Sequence, residues 1–357
     1  MKACEVLKIQ TTLKHILVIR LSAMGDVAMT VPVLRAVVSQ NPDVRITVVS
    51  RPLFKPFFDG VERVDFFSVD LNQRHKGFFG LIRLFNDLSK LNPNLIADLH
   101  NVLRSIVVRS FFVFSGKKVA FLDKGRKEKK ALTREENKVF KPLKSMHERY
   151  IEVFHKLEIK VDLTQVSFPE KEILSTEIKN ITGEKSGKWI GIAPFAQYQS
   201  KVYPLDLMQN VIDLLAENPE NKIFLFGGGK SEIEQLETLK KAYQNVTVVA
   251  GKMPFTDELK LISNLDVMLS MDSGNAHIAS MYGVKTLVIF GATHPFTGFM
   301  PFGQPLENAL IPDLKKYPKL PTSVYGNKII TGYEDVMRTI SPESVLQTIG
   351  KYLNNSQ

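Results

Sequence analysis

Residues 15–37 read HILVIRLSAMGDVAMTVPVLRAV. An apolar run at 15–21 passes through a small polar turn, SAMGD, into an amphipathic stretch over 26–39. A strand that is apolar almost throughout, rather than alternating, belongs to a parallel sheet covered on both faces. The same strand, turn and helix grammar recurs along the chain. Further strands are predicted at 45–50, 64–69, 95–99 and 119–121, and again at 189–195, 222–227, 246–250, 266–270 and 286–291. Helical patterns lie between them at 79–90, 102–114, 205–218, 231–242 and 274–281.

The pattern thus occurs twice, with a break over 158–188 that is rich in Lys, Glu, Ser and Gly and shows little periodicity. This predicts an α/β protein of two doubly wound, Rossmann-like domains, 1–165 and 166–357. A closing helix at 342–353 has two packing choices, on the second domain or back on the N-terminal one. Doubly wound domains bind ligands at the carboxyl ends of their strands, so a central cleft between the two is the expected site.

The bulk properties narrow the function. The chain has 357 residues, 44% of them hydrophobic, and a formal net charge of +10, which points to an anionic partner such as nucleic acid, an anionic membrane surface or a phosphorylated small molecule. Cys4 is the single cysteine, which rules out an internal disulfide and Cys-based zinc sites. The N-terminus, MKACEVLKIQTTLKH, has no apolar core before a cleavage site, so no signal peptide is expected, and the localisation expected is cytoplasmic. The greasiest region, SIVVRSFFVFSG at 105–116, is interrupted by Arg109 and is too short to span a membrane. The basic stretch 117–144 reads either as a solvated loop or helix face, or as a flap for a phosphorylated substrate or anionic lipid. It lacks interleaved aromatics and no nucleic-acid module is recognisable, which argues against nucleic acid.

Three motifs carry chemistry. In LDVMLSMDSGNAHIASMYG a strand runs into Asp272, Ser273 and Gly274 and then a helix bearing His277. Unpaired N–H groups at a helix start can hold a phosphate, and the competing reading is that Asp272 and Ser273 merely cap the helix. KIFLFGGGKSEIEQ ends a strand in glycines, but Phe224 breaks the P-loop pattern and Glu232 the dinucleotide fingerprint. Glu232 is left as a ribose contact or as an exposed helix-start acid. In GIAPFAQYQSKVYPLD, Lys201 occupies a loop at a strand's carboxyl end, where it meets a phosphate or only solvent. Asp26 in the opening stretch is likewise only a helix-start charge or a carboxylate that carries chemistry, and Gly25 before it marks a crowded turn or a close ligand. The seven histidines show no metal-ligand spacing.

Taken together, IRLSAMGDVAMTVPVLRAV, SKVYP, FGGGKSEIE and MDSGNAHIASMYGVKTLVIFGATHP resemble glycosyltransferase family 9, the lipopolysaccharide heptosyltransferases. The resemblance implies a GT-B fold with the acceptor on the N-terminal domain and the nucleotide sugar on the C-terminal one. It implies metal-independent inverting transfer, with no cofactor, from a donor of the ADP-heptose type to a lipid-anchored glycan, at the inner membrane face. Asp26 would be the general base and Lys201 the phosphate-holding lysine. Gly228, Glu232, Met253, Asp272, Ser273, Gly274 and His277 would surround the donor, and Arg20, Ser22, Lys127 and Lys130 the acceptor. Ala196, Gln197 and Tyr198 stand where the family often carries hydroxyl residues, which leaves the sugar and nucleotide open. A UDP- or GDP-hexose transferase and a non-catalytic nucleotide- or polyanion-binding protein are the alternatives.

Overall fold

The computed structural model describes residues 13–328 and 330–354; Cys4 lies outside them. The chain forms two compact units. The first holds the described residues up to Ala23, Thr30–Lys124 and Arg149–Ser167; the second holds Met24–Met29, Gly125–Glu148 and the residues from Phe168 on.

The first unit's sheet comprises β1 (Lys14–Ile19), β2 (Val44–Ser50), β3 (Val64–Ser68), β4 (Leu95–Asp98) and β5 (Lys118–Phe121), in the order β3-β2-β1-β4-β5 and parallel throughout. Ile16 lies opposite Ile46 and Leu95, and Val18 opposite Val48 and Ala97, so these side chains share one face of the sheet, while Leu17, Ile19 and Ile96 occupy the other. The helices in chain order are α1 (Met24–Ala28), α2 (Thr30–Gln40), α3 (Gly77–Ser89), α4 (Leu103–Phe114), α5 (Arg126–Thr133) and α6 (Met146–Lys156). Leu81, Leu84 and Leu88 of α3, with Val108 and Phe112 of α4, pack on Leu17, Ile19 and Ile96 of the sheet. Burial of each such side chain stabilises by about 1.5–3 kcal/mol.

The single helix expected over 26–39 is two helices, broken at Met29. In a continuous helix the N–H of residue 32 would bond the carbonyl of Ala28, and Pro32 has no N–H. The proline is instead accommodated in the first turn of α2, where that donor has no intrahelical partner.

The second unit carries α7 (Thr176–Thr182), β6 (Lys188–Ala193), α8 (Leu205–Ala216), β7 (Asn221–Leu225), α9 (Lys230–Lys240) and β8 (Val246–Val248). It continues with α10 (Phe255–Ser263), β9 (Val267–Met271), α11 (Gly274–Met281), β10 (Lys285–Ile289), β11 (Ala309–Leu310) and α12 (Pro342–Leu353). Its parallel sheet runs β11-β10-β9-β6-β7-β8. The weakly periodic interval 158–188 contains α7, started by a Ser175 hydroxyl that accepts the Ile178 N–H. Of the two placements open to the closing helix, α12 takes the second unit, burying Val345 and Ile349 against α8 and the sheet. The basic stretch 117–144 has defined structure. Lys129 is buried against the Met146 sulfur and the Phe299 ring, and the Lys138 ammonium donates to the carbonyls of Lys319 and Pro321. Among the described residues no helix is long and apolar enough to cross a membrane.

Tyr203 ties the second unit's core to its C-terminal segment. Its fully buried hydroxyl donates to the Ile340 carbonyl at 2.6 Å, and burial pushes its pKa up to about 12. Tyr203→Phe orphans that carbonyl and is expected to reduce unfolding free energy by about 1–3 kcal/mol. Chemical denaturation should show a lower midpoint with an unchanged slope.

Candidate active site

The site grows from the loop between β9 and α11. Ser273 has the extended backbone of an N-cap (φ −146°, ψ 177°), yet its side chain makes no capping bond. Its hydroxyl instead meets that of Ser270 at 3.1 Å. Asp272 also faces elsewhere: its carboxylate accepts the Thr293 hydroxyl at 2.8 Å and lies 3.4 Å from the Lys201 ammonium. The capping reading therefore fails for both residues. The first turn of α11 is left with N–H donors that no capping side chain serves, at the positive end of the helix dipole.

Lys201 ends a tight turn, Gln199–Lys201, after β6. Its ammonium donates to the Asp272 carbonyl at 2.6 Å, and only 12% of the side chain is exposed. Gly326 stands behind it at φ +83°, a conformation suited to glycine, and a Cβ there would sit 2.6 Å from Lys201 Cγ. The Ser200 hydroxyl donates to the Gly326 carbonyl, which fixes the two loops together. A cavity of about 330 Å³ opens next to this turn, lined by Ser200, Val202, Leu320, Thr322 and Met337. No residue of the sequence-derived site lines it, so volume alone does not locate the chemistry.

Helix α1 packs against α11 at glycine-to-glycine distance. A Cβ on Gly25 would stand 2.9 Å from His277 Cδ2 and 3.2 Å from Gly274 Cα, and one on Gly274 would reach the Gly25 nitrogen at 3.6 Å. Gly25 is thus a crowded turn, and it sets the neighbouring Asp26, half-buried in the first turn of α1, beside the start of α11. His277 is 5% exposed. Burial lowers its pKa, opposed by the charges of Asp272 and Asp26 and assisted by Lys201, and its Nδ1 is buried without a hydrogen-bond partner. The result is a neutral imidazole between two carboxylates and a cation.

The second unit therefore gathers Asp26, Lys201, Asp272, Ser273, Gly274 and His277. Glu232, in the first turn of α9, accepts the Gly228 N–H at 2.7 Å and closes the glycine loop after β7. Gly227 makes room for it, since a Cβ there would meet Glu232 Oε2 at 3.1 Å. Met253 is half-buried between β8 and α10. Arg20 is 5% exposed within the first unit, its guanidinium donating to the Leu99 carbonyl at 2.6 Å above the Tyr150 ring. Ser22 is half-buried there, whereas Lys127 and Lys130 lie on the exposed side of α5. Among the described residues no group of three or more His, Cys, Asp or Glu could hold a metal ion.

Sequence reasoning missed Thr293 and Gly326. Thr293 lies within the quoted GATHP block, so its position was visible but its bond to Asp272 was not. Gly326 carries no local signal at all. Glu258 in α10, whose carboxyl burial alone pushes up to about 7, was equally silent.

The model of glycosyltransferase family 9 (heptosyltransferase) matches residues 81–328. Lipopolysaccharide heptosyltransferase 1 of Campylobacter coli is 24% identical over 349 residues, which cover 94% of this chain and 97% of that protein. Among solved structures, a family 9 glycosyl transferase from Veillonella parvula superposes with a TM-score of 0.74 at 20% identity, covering 97% of this chain and 98% of that one. The E. coli heptosyltransferase WaaC with ADP gives 0.64 at 18% identity, covering 95% and 99%. The fold class is accordingly α/β and GT-B.

His294, in the same GATHP block, supplies a pH test of this unit. Its Nδ1 accepts the Phe296 N–H at 3.1 Å, its Nε2 is buried without a partner, and burial with the nearby Lys138 charge lowers its pKa to about 4. The unfolded chain binds a proton at this histidine below pH 6.5 while the folded chain does not. Its contribution is therefore whole above that pH and is lost as pH falls towards about 4. Between pH 8 and pH 5 the wild type should lose about 2 kcal/mol relative to His294→Asn, measured by urea denaturation at each pH.

Proposed function

The chain belongs to glycosyltransferase family 9 (heptosyltransferase), and from that premise we propose that it transfers heptose, with inversion, from ADP-heptose to a lipid-anchored glycan of the lipopolysaccharide core. The reaction is assigned to the cytoplasmic side of the inner membrane. The curated relative is a lipopolysaccharide heptosyltransferase and the E. coli neighbour is described with ADP, which supports that acceptor and that nucleotide. The observation that carries the reading is the contact of Gly25 with Gly274, which sets an acid beside an uncapped helix start.

In this scheme the donor's diphosphate takes the N–H groups of α11 as hydrogen-bond donors and Lys201 as counter-charge. Asp272, braced by Thr293, holds the ammonium in place. Glu232 and the backbone near Met253 are assigned to the ribose and adenine. Asp26 accepts the proton of the acceptor hydroxyl as its oxygen bonds the anomeric carbon. The bond from that carbon to the diphosphate breaks, and the electron pair leaves with the diphosphate. Burial keeps His277 neutral, so it adds no positive charge next to Asp26.

Mass spectrometry of a core acceptor incubated with ADP-heptose should show one added heptose. A thermal-shift panel should rank ADP-heptose above UDP- and GDP-hexoses by mass action. No product with any nucleotide sugar would overturn the assignment. Asp26→Asn should keep donor-induced stabilisation while kcat falls about 10²–10⁴-fold, the usual contribution of a general base. A wild-type kcat in that variant removes Asp26 from the role. Lys201→Met should weaken donor binding at least about tenfold, the lower end for loss of a charged hydrogen bond.

A further inference from the structure

The first unit presents an apolar surface that its own core does not use. Helices α3 and α4 pack side by side, with the Phe85 ring 5.3 Å from Phe111 and 4.9 Å from Phe112. Their inward side chains make the core described above. On the outward side, Phe79 is 74% exposed, Leu103 77% and Phe114 86%. Leu103 and Phe114 are eleven residues apart, which is three helical turns, so they share one face of α4 over about 16 Å. Phe78, also exposed, stands beside Phe79 with their rings 6.0 Å apart. Single exposed apolar residues are ordinary, but aromatic and leucine side chains concentrated on one pair of adjacent helices are not.

The unpaired charge around this face is positive. From His100 to Leu122 the chain has no Asp or Glu, while it carries Arg104, Arg109, Lys117 and Lys118. Arg109 is committed to Asp98 at 2.8 Å and Lys118 to Glu158 at 2.7 Å. Arg104 and Lys117 form no ion pair among the described residues, nor do Lys76 and Arg83 of the α3 region. The acid of α3, Asp87, is neutralised by Arg74 and Lys90 and hydrogen-bonded to His75, and these contacts hold its carboxyl down at about 2.

We propose that the outward face of α3 and α4 is a membrane-docking surface that inserts Phe79, Leu103 and Phe114 among the lipids of an anionic bilayer, with Lys76, Arg83 and Arg104 on the headgroups. Apolar side chains rimmed by unpaired cations are the combination that binds anionic lipid interfaces. The apolar part partitions into the headgroup and acyl boundary while the cations lower their energy in the negative surface potential. A protein partner would meet the apolar patch equally well, but a rim of long, flexible cations whose one α3 acid, Asp87, is already ion-paired matches a diffuse negative surface. The reading rests on the proposed function in one respect, that a lipid-anchored acceptor keeps the enzyme at a bilayer.

Flotation of the full chain with vesicles of phosphatidylcholine alone and with phosphatidylglycerol added tests the proposal. Binding is expected to the anionic vesicles, and to weaken in high salt, because screening removes the headgroup attraction. Phe79→Ser/Phe114→Ser should bind anionic vesicles at least about tenfold more weakly, as two exposed aromatic insertions are lost. Its thermal unfolding and its transfer to a delipidated, water-soluble acceptor should match the wild type, while transfer to a vesicle-embedded acceptor falls. Equal vesicle binding by variant and wild type overturns the proposal, as does equal binding to neutral and anionic vesicles. A wild-type self-association that the double variant abolishes, without vesicle binding, assigns the face to a second copy instead. Failure of transfer even to the soluble acceptor in the wild type would count against the proposed function and leave the vesicle result standing by itself.

Discussion

The chemistry of the second unit depends on two backbones approaching where neither has a side chain. At Gly25 any Cβ would strike His277 and crowd the Cα of Gly274, so α1 lies on the start of α11 only because position 25 is glycine, while a Cβ on Gly274 would make ordinary contacts. Asp26 inherits its location from that contact. Pro32 ends the helical run just after Asp26 by denying the Ala28 carbonyl its helical donor, so that Asp26 stands on a short helix of its own.

Electrostatics then completes what sterics begins. A lysine almost wholly removed from solvent needs an anion beside it, or its charge is costly to keep. Asp272 supplies that anion, and Thr293 takes up another of its hydrogen-bonding positions, so the carboxylate is committed to Lys201 rather than to the helix. The same geometry that buries the cation thus also leaves α11 uncapped. His277, desolvated in the same place, stays neutral, and the positive potential there comes from Lys201 and the helix dipole.

Much of this was legible in the chain. The strands at 15–21, 45–50 and 95–99 coincide closely with β1, β2 and β4, because buried parallel strands read as unbroken apolar runs. The ordered motifs already named the family. The cause of the break at Met29, Pro32, is present in the residues but ambiguous there, since a proline in the first turn of α2 looks the same as one inside a longer amphipathic helix. The fate of Asp272 and Ser273 could not be read, because capping and anion binding demand the same residue types and differ only in where the side chains turn. The greasy run at 105–116 reads as core or span by composition. Only packing shows that Val108 and Phe112 face inward while Phe114 and the neighbouring Leu103 face out.

By itself, then, the sequence determined two parallel α/β units, the positions of the loops that bear the chemistry, and the residue types in them, since these follow from local periodicity and short-range turn rules. Tertiary structure decided which loops meet. Thr293 reaches Asp272 across 21 residues, Lys201 across 71, and Gly25 meets Gly274 across far more of the chain. Contacts at such separations are set by the packing of whole sheets and helices and leave no trace in the spacing of neighbouring residues.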